Sequence, residues 1–173
     1  IQAAINKAPS GSLISVDRGT YRGNLDIKRS VRLVGHGAVI VPAAKPTSNA
    51  CLALAPGVMG ICVHGAFNAD GSMKSTISNV SIEGFTVRNF SGAGIIVAGV
   101  KGFRAVRMVT AHNGWMGIYT SDVTNVSLRD NRSYGNGADG IQVGHSPSAK
   151  AVITGNLSYG NLGTGILFLD SLG

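Results

Sequence analysis

The residues best suited to chemistry in this 173-residue chain recur at one spacing. Asp122, His145 and Asp170 follow one another after 23 and 25 residues. If the chain repeats with that period, the three meet at one corner of successive turns, about 5 Å apart from rung to rung. Asp122 and Asp170, two rungs apart with His145 between them, are at a distance that suits glycosidic hydrolysis, which needs one carboxyl protonated and one ionised. The same histidine beside cations suits a different reaction, removal of the proton α to a uronate carboxylate whose charge must be neutralised. His145 or a lysine is the expected base, and Arg104, Arg107, Arg129 and Lys101 are the expected neutralising cations. Trp115 and Tyr119 are the candidate sugar-stacking rings, and Gln142 follows Tyr119 in the same outward column. Asp139 precedes Gly140 and is placed to accept backbone N–H groups. Each of these residues has a plainer structural role open to it, as a solvated corner, a packing ring or a turn residue; His36, His64 and His112 are read as structural.

What must position these groups is a repeat. Gly-Ile recurs at Gly94-Ile95, Gly117-Ile118, Gly140-Ile141 and Gly165-Ile166, at intervals of 23, 23 and 25 residues. Three further ladders keep the same phase: Ile82, Ala105, Leu128 and Ile153; Phe85, Met108, Asn131 and Asn156; Val87, Thr110, Ser133 and Ser158. Asn131-Arg-Ser-Tyr-Gly-Asn136 returns almost literally as Asn156-Leu-Ser-Tyr-Gly-Asn161. Each unit alternates apolar and polar residues over short stretches punctuated by Gly and Asn, without a helical stripe. A unit this small buries nothing by itself and must stack on its copies. The expected fold is therefore all-β, a parallel β-helix solenoid of about seven coils over residues 1–173 as one domain, at about 4.8 Å per coil. Asparagines in the bends bond from rung to rung and tolerate left-handed dihedrals.

The first third fits less regular coils. Ile1-Gln-Ala-Ala-Ile5 opens a short helical cap, ended by Ala8-Pro9-Ser10-Gly11. Strands are expected over Leu13–Val16, Leu25–Ile27, Val31–Val34 and Ala38–Val41, with loops over Ala43–Ala50 and Ala66–Lys74. The extra two residues of the last interval fall within Gly144–Lys150. Ile166-Leu-Phe-Leu169 is a strongly apolar strand near Gly173, so further residues or a partner subunit, as in a homo-oligomer, are expected to cover it.

Composition sets the outer limits. Apolar residues make up 44% of the chain, too many for a disordered segment. No apolar run approaches the ~20 residues of a membrane span. A net charge of +7 favours acidic partners, but the basic residues are scattered singly or in short groups, unlike a nucleic-acid footprint. Cys51 and Cys62 are either two core thiols or one disulfide. No nucleophile elbow, P-loop or dinucleotide fingerprint is present.

Ile1-Gln-Ala-Ala-Ile5, Pro9-Ser-Gly11, Ile14-Ser-Val16 and Arg18-Gly-Thr-Tyr-Arg-Gly-Asn-Leu25, followed by the Gly-Ile coils, resemble the right-handed parallel β-helix superfamily of pectate lyase-like proteins. The resemblance covers nearly the entire chain and implies a secreted, extracellular or periplasmic protein whose ligand is an extended polysaccharide. Combined with the basic charge, it points to a lyase or epimerase on an acidic, uronate glycan. The alternatives are a non-catalytic glycan-binding or accessory rod and a fragment of a tailspike-like adhesin. Related lyases have Asp-Gly-Phe-Asp with calcium-binding aspartates. Asp139-Gly140-Ile141-Gln142 keeps Asp139 and Gly140, so the resemblance implies Ca²⁺ only weakly, at Asp139, with Gln142 at the second acidic position. Alginate epimerases have Gly-Phe-Asp-Pro-His-Glu, where this chain has Gly140-Ile-Gln-Val-Gly-His145 and neither carboxylate.

Overall fold

The computed structural model describes residues 1–47, 50–146 and 149–169. A short helix, α1 (Gln2–Lys7), buries Ile5 against the first turn and ends at Ala8, whose extended backbone suits the residue before Pro9. Gln2 pins it there: its Nε2 donates to the Asp26 carbonyl at 2.9 Å, and its Oε1 accepts the Asp26 N–H at 2.8 Å.

Beyond the helix, the chain winds into a right-handed parallel β-helix of about seven turns, built on one 14-stranded sheet folded into three faces. The strands of the second and third faces are β1 (Ser12–Val16), β2 (Gly19–Arg22), β4 (Val31–Val41), β8 (Ile77–Arg88), β10 (Val109–Ala111), β12 (Arg132–Tyr134), β14 (Val152–Thr154) and β15 (Leu157–Tyr159). The first face stacks β3 (Leu25–Ile27), β5 (Ile61–His64), the start of β9 (Ile95–Val106), the start of β11 (Ile118–Arg129), β13 (Ile141–Gly144) and β16 (Ile166–Leu169). The far halves of β9 and β11 turn a corner and continue in the second face beside β8 and β14.

The repeat acts as expected. Ile61, Ile95, Ile118, Ile141 and Ile166 pair in register, and the first four are fully buried. Burying one such side chain contributes roughly 1.5–3 kcal/mol before entropy is counted. Ile166 is exposed because the last described rung has a neighbour on one side only. The glycines before Ile61, Ile95, Ile118 and Ile141 are a steric necessity: a Cβ on Gly117 would lie 1.9 Å from Ser133 Oγ, whereas at Gly165, before the last isoleucine, the nearest atom would be 3.6 Å away. On the third face the inward ladder changes from Val87 to Thr110, Ser133 and Ser158. Their hydroxyls remain satisfied, Ser133 donating to Gly140 O and Ser158 to Gly165 O, both at 2.7 Å. Asn131 donates to Asn156 at 2.8 Å, and Asn136 to Asn161 at 2.9 Å, so the expected asparagine ladders are present.

Two early regions differ in detail from the sequence expectation. Val31–Val34 and Ala38–Val41 form one strand with a register shift between them. The loop at Ala66–Lys74 contains a small antiparallel pair, β6 (Ala66–Phe67) and β7 (Met73–Ser75).

Candidate functional site

Alternation within the strands turns one side chain in two outward, so the first face carries a continuous outer column: Asp26, Cys62, Ile96, Tyr119, Gln142 and Leu167. Two residues further along, His64, Ala98 and Ser121 align in a second column. The middle of this face is covered. A 3₁₀ turn, Ala50–Ala53, leads a strap whose Ala55 and Met59 pack with Cys51, Cys62, Ile96, Met116 and Tyr119 in a second apolar cluster. Cys51 and Cys62 are joined as a disulfide, with Cα atoms 5.9 Å apart.

Tyr119 is consequently only 8% exposed, and Gln142, between Tyr119 and Leu167 in the column, is 3% exposed. Trp115 is half-buried beside them, its ring edge-on to Tyr119 at 5.5 Å. Burial raises the Tyr119 phenol above its ordinary value, opposed by a hydrogen bond with the Ser121 side chain and reinforced by the Asp122 charge. A sugar reaching these rings would have to displace the strap.

The corner between the first and second faces brings Asp122 and His145 to adjacent rungs, both exposed. The Asp122 N–H donates to the His145 carbonyl at 3.3 Å, and the His145 N–H to Leu169 O at 2.9 Å. The Asp122 carboxylate accepts a hydrogen bond from Ser121 Oγ at 3.1 Å. Gly99, Asp122 and His145 all have left-handed backbones, with φ of 63°, 50° and 48°. Other bends repeat the pattern, with Gly84, Arg107, Asp130 and Gly155 in one column and Asn89, His112, Gly135 and Gly160 in another. Asp170 lies outside the described residues.

The cations separate. Arg104 is on the second face, in an outward column with Arg32, Ser81 and Ser127, and Arg129 is exposed on the same face, while Lys101 is exposed between the left-handed residues Gly99 and Gly102 where the chain turns onto it. Arg129 Nε donates to Ser127 Oγ at 3.1 Å. Among the described residues none of Lys101, Arg104 and Arg129 has an ion-pair partner. Arg107 sits at the next bend and pairs with Glu83. Asp139 accepts the Thr164 N–H at 2.6 Å, and it belongs to no group of three His, Cys or acidic ligands among the described residues. In this bend the Asp139 carboxylate is held as a backbone acceptor.

A second polar constellation lies at the N-terminal end of the first face, where the sequence suggested only a structural histidine. Asp26 Oδ1 is 2.9 Å from His64 Nε2, and Asp26 Oδ2 is 2.9 Å from Lys28 Nζ. His64 is buried, and its Nδ1 contacts the Gly65 carbonyl oxygen. Partial burial by itself would raise the Asp26 carboxyl, but hydrogen bonds from His64 and Lys28, with their charges, hold it below its ordinary value. Asp26, Cys62 and His64 have one ligand atom each within 4.8 Å of one another. The signal in the sequence is a polar residue at the outward position of otherwise apolar strands, in Leu25-Asp-Ile27 and Cys62-Val-His64.

Among the described residues, no helix is long and apolar enough to cross a membrane. No curated protein sequence matches the chain. Solved structures share the fold, among them two epimerase modules. The A-module of mannuronan C-5 epimerase AlgE6 from Azotobacter vinelandii is 22% identical, with a TM-score of 0.68 over 96% of this chain and 53% of that one. The A-module of AlgE4 from the same organism is 20% identical, with a TM-score of 0.64 over 96% of this chain and 54% of that one. This chain therefore spans about half the length of each. The model of the right handed beta helix region matches residues 22–172, and the chain belongs to that family.

Proposed function

We propose that this β-helix is a secreted protein that binds and modifies an acidic, uronate-containing polysaccharide, as a lyase or epimerase. The observation that carries the proposal is the cationic strip of Arg104 and Arg129 on the second face with Lys101 at its edge, none of them in an ion pair among the described residues. Exposed cations without an ion-pair partner attract a polyanion, and Lys101 and Arg104 on one rung with Arg129 on the next suit an extended chain. The strip adjoins the corner where Asp122 and His145 are reachable from solvent. There His145 is the proposed base for the proton α to the carboxylate, and the cations stabilise the charge that develops. Both solved relatives are named as mannuronan epimerases, which makes mannuronan the first polymer to test. The disulfide favours an oxidising compartment.

A second, non-catalytic reading draws on the strap. With Tyr119 buried beneath it, the first face offers no open aromatic platform at that rung, as suits a glycan-binding or accessory rod.

The test is to incubate the protein with alginate, polygalacturonate and a neutral glucan, with and without Ca²⁺, across a salt series. Acidic polymers are expected to bind in preference, with the preference shrinking as salt screens the exposed charges. An unsaturated uronate chromophore identifies lyase action, and NMR of the recovered polymer identifies epimerisation. Replacing both Arg104 and Arg129 by Ala should weaken binding, and His145→Ala should abolish turnover while binding persists. Failure to bind any acidic glycan at low salt would end the first reading and favour an accessory or structural rod.

A further inference from the structure

The glycan reading leaves unused the N-terminal end of the first face, where Asp26, Cys51, Cys62 and His64 come together. Asp26 and Cys62 pair directly across adjacent strands, and His64 projects from the same side of β5 two residues on. Their ligand atoms lie within 4.8 Å of one another. Cys51 Sγ is brought to the same point by its bond to Cys62. We infer that these four residues form a Zn²⁺ site whenever the Cys51–Cys62 disulfide is reduced, so that the disulfide and the metal are alternative occupants of one place.

The donor set and its surroundings support this. Two thiolates, an imidazole and a carboxylate are a four-ligand zinc set, and thiolate sulfur discriminates against Ca²⁺ and Mg²⁺. Tetrahedral zinc holds its ligand atoms roughly 3.3–3.8 Å apart, so Asp26 and His64 need to separate only slightly from their present 2.9 Å. The histidine is already oriented for the task. Its Nδ1 faces the Gly65 carbonyl, the partner that a metal-bound histidine commonly uses for its second nitrogen, and Nε2 points to the site.

The supporting groups are also in place. Gln2 clamps the Asp26 backbone through both of its polar groups. The chain leading toward the strap is held at Thr47 independently of the disulfide: Asn24 Nδ2 donates to Thr47 O at 2.8 Å, and Thr47 Oγ1 to Asn24 Oδ1 at 2.9 Å. Zn²⁺ with two thiolates and one carboxylate leaves a net charge of −1, which the Lys28 ammonium, 2.9 Å from Asp26 Oδ2, offsets.

The exchange balances with a dithiol reductant. Its two thiols become a disulfide, and the two electrons and two protons they give up convert the Cys51–Cys62 bond into two thiols. Zinc binding then releases both thiol protons to solvent, and reoxidation expels the metal.

The residues are distinct from those of the cationic strip and the Asp122–His145 corner, so the two proposals stand or fall separately. The protein is prepared once oxidised and once purified throughout in reductant, and each form is titrated with Co²⁺ and then Zn²⁺. The reduced form is expected to take up one equivalent of Co²⁺, with thiolate-to-metal charge-transfer absorption, and to bind Zn²⁺ on the order of 100-fold or more tighter than the oxidised form. Reduced His64→Ala should lose most of that gain, and reduced His112→Ala should keep it. Cys51→Ser, which frees Cys62 without reductant, should retain a weaker thiolate band. Equal Zn²⁺ affinity in both redox forms, an unaltered His64→Ala variant or a Co²⁺ spectrum without a thiolate band would overturn the inference. So would a reduced chain that loses its β-sheet circular dichroism and does not regain it with Zn²⁺.

Discussion

Two regions of this rod carry acid and histidine side by side, and they do so for different physical reasons. At the Asp122–His145 corner, both residues occupy a left-handed bend whose preceding member is Gly99. Asp and His are among the few non-glycine types that populate that conformation readily, so the backbone alone accounts for much of their recurrence there. At the Asp26–His64 end of the first face, the residues stand on regular strands, where nothing in the backbone asks for acid or imidazole. The first pair is exposed and spaced by the coil. The second is hydrogen-bonded, partly buried and locked to a disulfide. A spacing ladder of chemically attractive residues in a solenoid should therefore be checked for positive φ before it is credited with catalysis. An isolated polar residue facing outward from an apolar strand carries more information than its lack of repetition suggests.

The largest effect is expected beneath both regions, at the ladder that holds their rungs in register. Ile118→Asp puts an unpaired charge into the core and should cost roughly 4 kcal/mol or more, abolishing the cooperative thermal transition. A variant that melts like the parent would mean that the rungs do not depend on this ladder.

Next comes the disulfide, which belongs to one region only. Replacing Cys51 and Cys62 together by Ala should lower stability by about 2–3 kcal/mol, as for a closed loop of this length. It should also increase proteolytic cutting within the strap while the asparagine-laddered coils stay protected. Uniform loss of protection would show that the two regions unfold as one.

The smallest effect separates the two aspartates by pH. The Asp26 carboxyl is held below its usual 3.8, so the unfolded chain binds its proton first as pH falls. Its contribution to stability is complete above that value and is lost as pH drops through the lower folded-state value. Asp26→Asn should flatten this acid limb in urea melts taken below about pH 4. Asp122→Asn, which keeps a side chain tolerant of the left-handed bend, should change stability by no more than about 0.5 kcal/mol at neutral pH. A steeper acid limb in Asp26→Asn would remove the ion-pair account of that end of the rod.

The solenoid was legible in the sequence because a 23-residue period repeats in four ladders at once, and stacking is the only way such short units bury their apolar side. Ile95, Ile118 and Ile141 point inward because strand alternation leaves them no alternative. The asparagine columns and the adjacency of Asp122 and His145 were legible for the same reason: one interval in sequence becomes one rung in space.

The strap, the burial of Tyr119 and Gln142, the scattering of Arg104 and Arg107 onto different parts of the rod, and the meeting of Asp26 with His64 were not. The strap, the burial of Tyr119 and the meeting of Asp26 with His64 depend on how the aperiodic first third folds back over the coils, whereas Arg104 and Arg107 part because a left-handed bend at Arg107 follows the strand that carries Arg104. Between Asp26 and His64 lie 38 positions of sequence separation without any repeat to mark them as neighbours. Periodicity determines contacts between equivalent positions. Contacts between inequivalent positions were decided only by tertiary packing, where apolar burial of the strap and the Cys51–Cys62 bond select one closure among many that the same residues allow.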